Sequence, residues 1–368
     1  MARNSIGARL ARLRLFRPGT VAHLLKSGEG TQRDLRAAVQ TIKQLQEQLA
    51  AAKRGHEEKH AALSAEVREL TETLNAVSLR ERQLRSILRA DAELEWRERE
   101  LDSILQASEI AAQVNSAIAA ATLRDEPFPH IIVDNLFPAA FYHALIRGLP
   151  PIDLFADRAV NKQQLTVPFG LAPRYGQRVW GFMAYVVAPE IIAPAMAGKF
   201  RAPLTAWLQS NFPSLTASAV RDMPLSCSDG RVMLRRPGYH IPPHRDPKWG
   251  FLTCLLYLAR RGDNECWGTD LYRVRDDEEA RGAKPHWIDQ DQCDFVERVD
   301  FRQNRALMFL NSIGAHSATI PADAQPADLE RYAYQFRVGA TKESIRDLMA
   351  SLPPERRPLW EGKIAVSY

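Results

Sequence analysis

The chain has 368 residues, 45% of them hydrophobic and 25% charged, with a formal net charge of +5. That length accommodates more than one ordinary domain and is ample for a packed core, which excludes a disordered chain and a small stapled scaffold. The four cysteines, Cys227, Cys254, Cys266 and Cys293, contain no CxxC pair, so a disulfide framework is excluded and a reducing cytoplasm fits best.

Residues 1–30 form a basic arm with Arg3, Arg9, Arg12, Arg14 and Arg17. Such an arm is ordinarily a solvated tail, and its other use is weak, salt-screened contact with an anionic surface. Residues 10–16 are too short and too interrupted by arginine for a signal-peptide core. No other run reads as the ~18 apolar residues of a span, so no transmembrane segment is expected.

From Thr31 or Asp34, either of which suits a helix cap, a heptad follows. Its seam is Leu35, Val39, Ile42, Gln46, Leu49, Lys53, His56, His60, Leu63, Val67, Leu70, Leu74, Val77, Glu81, Leu84 and Leu88. Steps of four and three alternate throughout, and most positions are apolar, which is the signature of a coiled coil. A lone helix cannot bury such a stripe, so a homo-oligomer formed through it is expected. No proline occurs between Pro18 and Pro127 to break the helix. His56-Glu57-Glu58-Lys59-His60 matches the zinc-protease pattern HExxH, but a rod offers neither cleft nor third ligand, and a loosened seam explains these residues better. Residues 107–123 are Ala-rich and read as a connecting helix. The segment 31–124 is therefore one coiled-coil and connector region.

Pro127 and Pro129 stop the helix, and a second domain, 125–342, begins there. Residues 129–138 predict a short buried strand, 139–149 a helix, 152–180 an irregular loop over a site, and 189–210 helix in pieces. Strands are predicted at 232–234, 251–258, 270–274, 306–310 and 332–338, with a charged loop at 276–281 between them. Several short strands separated by turns point to an antiparallel barrel or jelly roll. Residues 343–368 read as a C-terminal tail. The fold class is α+β, a long N-terminal coiled-coil helix followed by a jelly-roll domain with flanking helices.

The chemistry centres on His244 and Asp246 in Arg235-Arg236-Pro237-Gly238-Tyr239-His240-Ile241-Pro242-Pro243-His244-Arg245-Asp246. Two apart on an extended chain, these side chains share a face. His316 is the best third ligand. Two histidines and one carboxylate, with the opposite face of the metal open, suit Fe(II) in a non-haem oxygenase. His240 reads as structural or as a rim residue, Arg236 and Tyr239 as lining an entrance, and His286 as unassigned.

The order His244-x-Asp246, strand 251–258 ending in Tyr257-Leu258, Gly268-led strand, strand ending in Phe309, His316 and then Arg331 resembles the prolyl-4-hydroxylase-like branch of the Fe(II)/2-oxoglutarate dioxygenases. The resemblance covers residues 127–340. It implies a double-stranded β-helix, with His244, Asp246 and His316 as metal ligands and catalytic centre. Arg331 would be the partner of the distal carboxylate of 2-oxoglutarate, and Tyr257 would add a hydrogen bond to it. It further implies a hydroxylase that uses molecular oxygen on an unactivated C–H bond of a peptidyl, amino-acid, glycan or other small-metabolite substrate. Arg331 follows His316 by fifteen residues where the family usually has about ten, and 321–328 reads as the insertion responsible. Arg337, in phase with Arg331, is the rival. Asp246 argues against a halogenase, in which halide needs the carboxylate's position. The alternative from another class is a coiled-coil scaffold with a catalytically silent barrel; a third reading is a cupin-like metal enzyme that does not use 2-oxoglutarate.

Overall fold

A computed structural model of the chain describes residues 28–156, 162–165, 172–275 and 286–361. The basic arm and the charged loop at 276–281 lie outside them. The chain divides into two compact units, one ending at Leu79 and one beginning at Arg80. The division falls inside the long helix.

In the first unit the described residues form a single helix, the N-terminal part of α1 (Gly28–Leu94). It starts ahead of the expected caps Thr31 and Asp34. Its seam faces solvent, with Leu49 69%, Leu63 61% and Leu74 65% exposed. An apolar stripe this long on one helix has no intrachain burial to stabilise it.

In the second unit the end of α1 docks through polar contacts. Gln83 donates to the Asp153 carbonyl at 2.9 Å, and the Arg174 backbone N–H donates to Asp91 at 2.6 Å. The helix does not continue through 124 as the lack of proline suggests. A 3₁₀ segment (Glu95–Glu100) and α2 (Leu101–Ile104) follow, and Gln106 is extended before α3 (Ala107–Ala120). Burial explains the break: Leu101 turns into the core, and α3 presents Ile110, Val114 and Ile118 on the face that the core covers. Tertiary packing has overridden local helix preference.

β1 (His130–Val133) and α4 (Ala139–Arg147) fall where expected. Segment 152–180 is more ordered than a loop: β2 (Phe155–Ala156), β3 (Lys162–Leu165) and α5 (Arg174–Phe182) lie within it. A π-helical stretch (Met183–Ile192) follows, then α6 (Ala193–Lys199), α7 (Arg201–Asn211) and α8 (Ala217–Asp222). Contrary to the expectation, Arg174–Lys199 is long and apolar enough to cross a membrane by length and composition. Half of its most apolar stretch is buried, and Val179, Trp180, Met183, Val187, Ile192 and Met196 belong to the core, so the segment serves as packing.

The remaining strands are β4 (Leu225–Arg235), β5 (His240–Arg245), β6 (Leu252–Leu258), β7 (Thr269–Val274), β8 (His286–Trp287), β9 (Cys293–Val299), β10 (Gln303–Leu310), β11 (Ala315–Thr319) and β12 (Arg331–Ala340). They make a seven-stranded sheet in the order β1-β10-β6-β12-β4-β3-β2 and a five-stranded sheet in the order β8-β5-β11-β7-β9. Two antiparallel sheets facing each other form the jelly roll, a double-stranded β-helix.

Strand parity decides which residues face inward. On the seven-stranded sheet the even residues Val232, Leu234, Cys254, Leu256, Met308, Tyr334 and Phe336 pack outward under the helices. Met233, Leu255, Tyr257, Leu307, Phe309 and Ala333 point inward to meet Leu271 and Val299 of the five-stranded sheet. Covered on both faces, β6 and β12 read as nearly continuous apolar runs. Gly268 is required where it stands, because a Cβ there would lie 1.7 Å from the Val299 carbonyl oxygen.

The C-terminal segment is no tail. α9 (Lys342–Ser351) is capped by the Thr341 hydroxyl, and beyond it Trp360 is 1% exposed. Its ring lies 4.7 Å from Phe212 and 4.9 Å from Trp249, and its carbonyl accepts the Trp249 indole N–H. The surrounding prolines and arginines hid this anchor. Trp360→Ala is expected to cost about 3–5 kcal/mol in equilibrium urea denaturation, the range for emptying a buried aromatic site. A loss under about 1 kcal/mol would contradict its placement in the core.

Candidate metal centre

β5 and β11 are neighbours, and His244 stands directly opposite His316 in their register. Asp246 lies one residue beyond the end of β5. The ligand atoms of His244, Asp246 and His316 all lie within 4.8 Å of one another, and all three residues are buried. It is the one cluster of this kind found among the described residues. His56 and His60 of the HExxH match belong to no such cluster.

Two of the three, His244 and Asp246, are oriented by hydrogen-bond partners. The His244 Nδ1–H donates to the Pro242 carbonyl at 2.9 Å, because a carbonyl can only accept, and this fixes the orientation of the ring. The Asp246 carboxylate accepts from the Thr253 hydroxyl at 2.7 Å, the Arg337 guanidinium at 2.7 Å and the Gln335 amide at 3.4 Å. Burial alone would raise its pKa, but the Arg337 charge outweighs that and holds the carboxyl ionised, far below the usual range. Burial, aided by the His244 charge, pushes His316 down to about 3, so its imidazole is neutral. An ionised carboxylate and neutral imidazoles are the protonation states that a divalent metal requires.

Arg337 is thus committed to Asp246. Arg331 differs from it in every respect that matters. The two arginines project from the same face of β12, as their spacing implies, but Arg331 begins the strand at the far end of the interior. It is 2% exposed, stacked 3.6 Å over the Phe301 ring, and both its terminal nitrogens are buried without a hydrogen-bond partner. Desolvation, and then repulsion by Arg235, pull its pKa down to about 9. A buried guanidinium in that condition is a site for an anion. Tyr257, which faces Ala333 across the sheet, is also inside; its hydroxyl donates to Thr269 at 2.8 Å and keeps acceptor capacity.

The weaker assignments separate. Arg236 is paired with Glu330 at 3.1 Å at a partly exposed position, and His240 is an exposed rim residue near Thr319. Tyr239 is 1% exposed with its hydroxyl unpartnered, so it belongs to the interior more than to an entrance. The His286 side chain lies outside the described residues. Sequence reading missed Thr253, Gln335, Arg235 and Trp287. The first two are in phase with Tyr257 and Arg331 on their strands, a signal that was present. Trp287 is half exposed and lies 5.2 Å from the His244 ring, by a pairing of β8 with β5 that no local pattern announces.

No protein-family model matches the chain, and no curated protein matches it. Among solved structures it is similar to a Pseudomonas putida prolyl-4-hydroxylase, at 15% identity over 63% of this chain and 99% of that one, with a TM-score of 0.33. It is similar also to HygX from Streptomyces hygroscopicus with nickel, 2-oxoglutarate and hygromycin B bound, at 12% identity over 58% and 83%, TM-score 0.35. AviO1 from Streptomyces viridochromogenes matches at 11% identity over 63% and 96%, TM-score 0.35. Likeness at this level carries no functional argument, which rests on the geometry above.

Arg337→Ala is expected to weaken divalent metal binding about 10- to 100-fold, the usual effect of losing a group that orients a ligand. Anaerobic titration with Co(II), read by its visible spectrum, measures this. Unchanged affinity would show that the ion pair does not organise the site.

Proposed function

We propose that the protein is an Fe(II)- and 2-oxoglutarate-dependent hydroxylase acting on a peptidyl, amino-acid, glycan or other small-molecule substrate. One observation carries the reading: an unpartnered, buried Arg331 opens into the same interior as the two-histidine, one-carboxylate cluster. A metal site alone would not need it, so Arg331 separates this reading from a cupin-like enzyme that does without 2-oxoglutarate.

Bound there, Fe(II) with 2-oxoglutarate supplies the oxidation that turns a substrate C–H and molecular oxygen into C–OH, succinate and carbon dioxide. His244, Asp246 and His316 would hold the ion through two imidazoles and one carboxylate. Arg331 takes the distal carboxylate, with two parallel donors on one planar group. Tyr257 sits beside it as a further hydrogen-bonding group. Leu255, Leu271, Leu307 and Phe309 line the interior and exclude water from the reacting atoms. The protein's own work is orientation and exclusion.

Two further parts of the reading concern the whole chain. The exposed seam of α1 supports self-association as a coiled coil, with the Gln46–His60 region setting register at a cost in stability. Four free cysteines, two of them buried, support work in a reducing cytoplasm. The basic arm remains available for weak contact with an anionic surface.

Anaerobic addition of Fe(II) and 2-oxoglutarate is expected to give the weak visible charge-transfer band of their chelate. His244→Ala abolishes it, and Arg331→Gln raises the 2-oxoglutarate concentration needed by about tenfold or more. A protein that binds no iron and shows no band supports the silent-scaffold alternative instead.

Removal of residues 1–79 is expected to yield a smaller species by light scattering while the band persists. An unchanged subunit count would mean that the seam is not the assembly element.

A further inference from the structure

The interior holds one cation more than the proposed chemistry uses. Arg235, the last residue of β4, pairs directly with Arg331 of β12. Two arginines therefore stand directly opposite each other in the seven-stranded sheet. Like charges directly opposite one another destabilise a sheet unless something between them is negative. Glu330, the nearest acid in sequence, is already shared by Arg236 and Arg260.

Arg235 shares the inward parity of Met233, so it faces the barrel interior. Its Nε is buried without a hydrogen-bond partner, and its guanidinium lies 5.0 Å over the Tyr239 ring. The Tyr239 hydroxyl is likewise buried and unpartnered. The Arg235 charge is felt at Tyr239, Tyr257 and Arg331 and also at His316. Asp246 cannot neutralise it, being matched by Arg337 at 2.7 Å. 2-Oxoglutarate has two carboxylates, one for the metal and one for Arg331, and leaves Arg235 without a counter-charge.

We infer that Arg235 and Tyr239 form a recognition site for an oxyanion carried by the substrate, a carboxylate or a phosphate. The inference rests on the hydroxylase reading and narrows its substrate class. Arg235 binds the oxyanion by charge-assisted hydrogen bonds, and the Tyr239 hydroxyl donates to the same group. The substrate's own charge thereby completes the neutralisation of the arginine pair and fixes which carbon faces the metal.

The test is calorimetric titration of the full chain, loaded with Zn(II), by 2-oxoglutarate and then by phenylphosphonate or benzoate. Wild type is expected to bind at least one aryl oxyanion after saturation with 2-oxoglutarate, and the preferred one tells phosphate from carboxylate. Arg235→Gln should weaken that probe about tenfold or more and leave 2-oxoglutarate within about twofold. Arg235→Lys, which keeps the charge, should retain most of the binding and shows that loss in the glutamine variant is not misfolding. Arg331→Gln should show the reverse pattern. If Arg235→Gln weakens 2-oxoglutarate as much as Arg331→Gln does, Arg235 is a second cosubstrate anchor and the inference is overturned. Probe binding that is absent, or equal in wild type and Arg235→Gln, overturns it too while leaving the hydroxylase reading intact. Failure of wild type to bind 2-oxoglutarate, with the probe still held through Arg235, overturns the hydroxylase reading alone.

Discussion

The ion pair between Asp246 and Arg337 is the contact on which the rest of the interior depends. It is the meeting of a carboxylate 4% exposed with a guanidinium 6% exposed, at 2.7 Å. Taken out of water singly, either group would cost several kcal/mol, and a buried pair repays this only when its remaining lone pairs and protons are satisfied. Thr253 and Gln335 do that for the carboxylate. The pair consequently fixes three strands, β6, β12 and the end of β5, in one arrangement. It also keeps Asp246 ionised beside the neutral imidazole of His316. A site assembled in this way avoids much of the reorganisation that ligand binding would otherwise require.

The same pair explains why two arginines on one strand have opposite fates. Arg337 and Arg331 are in phase, so sequence alone places both on one face and leaves a choice. Position along the strand resolves it: Arg337 lies beside Asp246, while Arg331 lies beyond Ala333, against Phe301 and Tyr257. One arginine is paired, and the other is buried without a hydrogen-bond partner for its terminal nitrogens. A buried, unpaired guanidinium costs stability, which is why the proposed function assigns Arg331 an anion.

Much of this was legible in the sequence, for reasons that can be named. The long helix is legible because the period of its apolar residues is geometric. The order of metal ligands, strands and Arg331 is legible because each sits at the start or end of a strand bounded by Pro or Gly. The breaks at Glu95–Glu100 and Gln106 were not, since no proline or glycine marks them and only the pull of Leu101 and Ile110 into the core makes them. Trp360 escaped notice because a single aromatic among prolines and charges carries no period. Trp287 and Arg235 escaped for another reason. Their surroundings come from strand pairings, β8 with β5 and β4 with β12, that local patterns do not encode. The membrane-like composition of Arg174–Lys199 shows the converse error, in which a run buried on the outer face of a sheet is indistinguishable by composition from one buried in lipid.

Arg331 and Arg235 stand directly opposite each other on β12 and β4, and the repulsion between them burdens the free protein. Anything negative that binds native protein and not the unfolded chain raises stability by mass action. An anion held there would in addition relieve the repulsion between Arg331 and Arg235, so the same contact serves binding and stability.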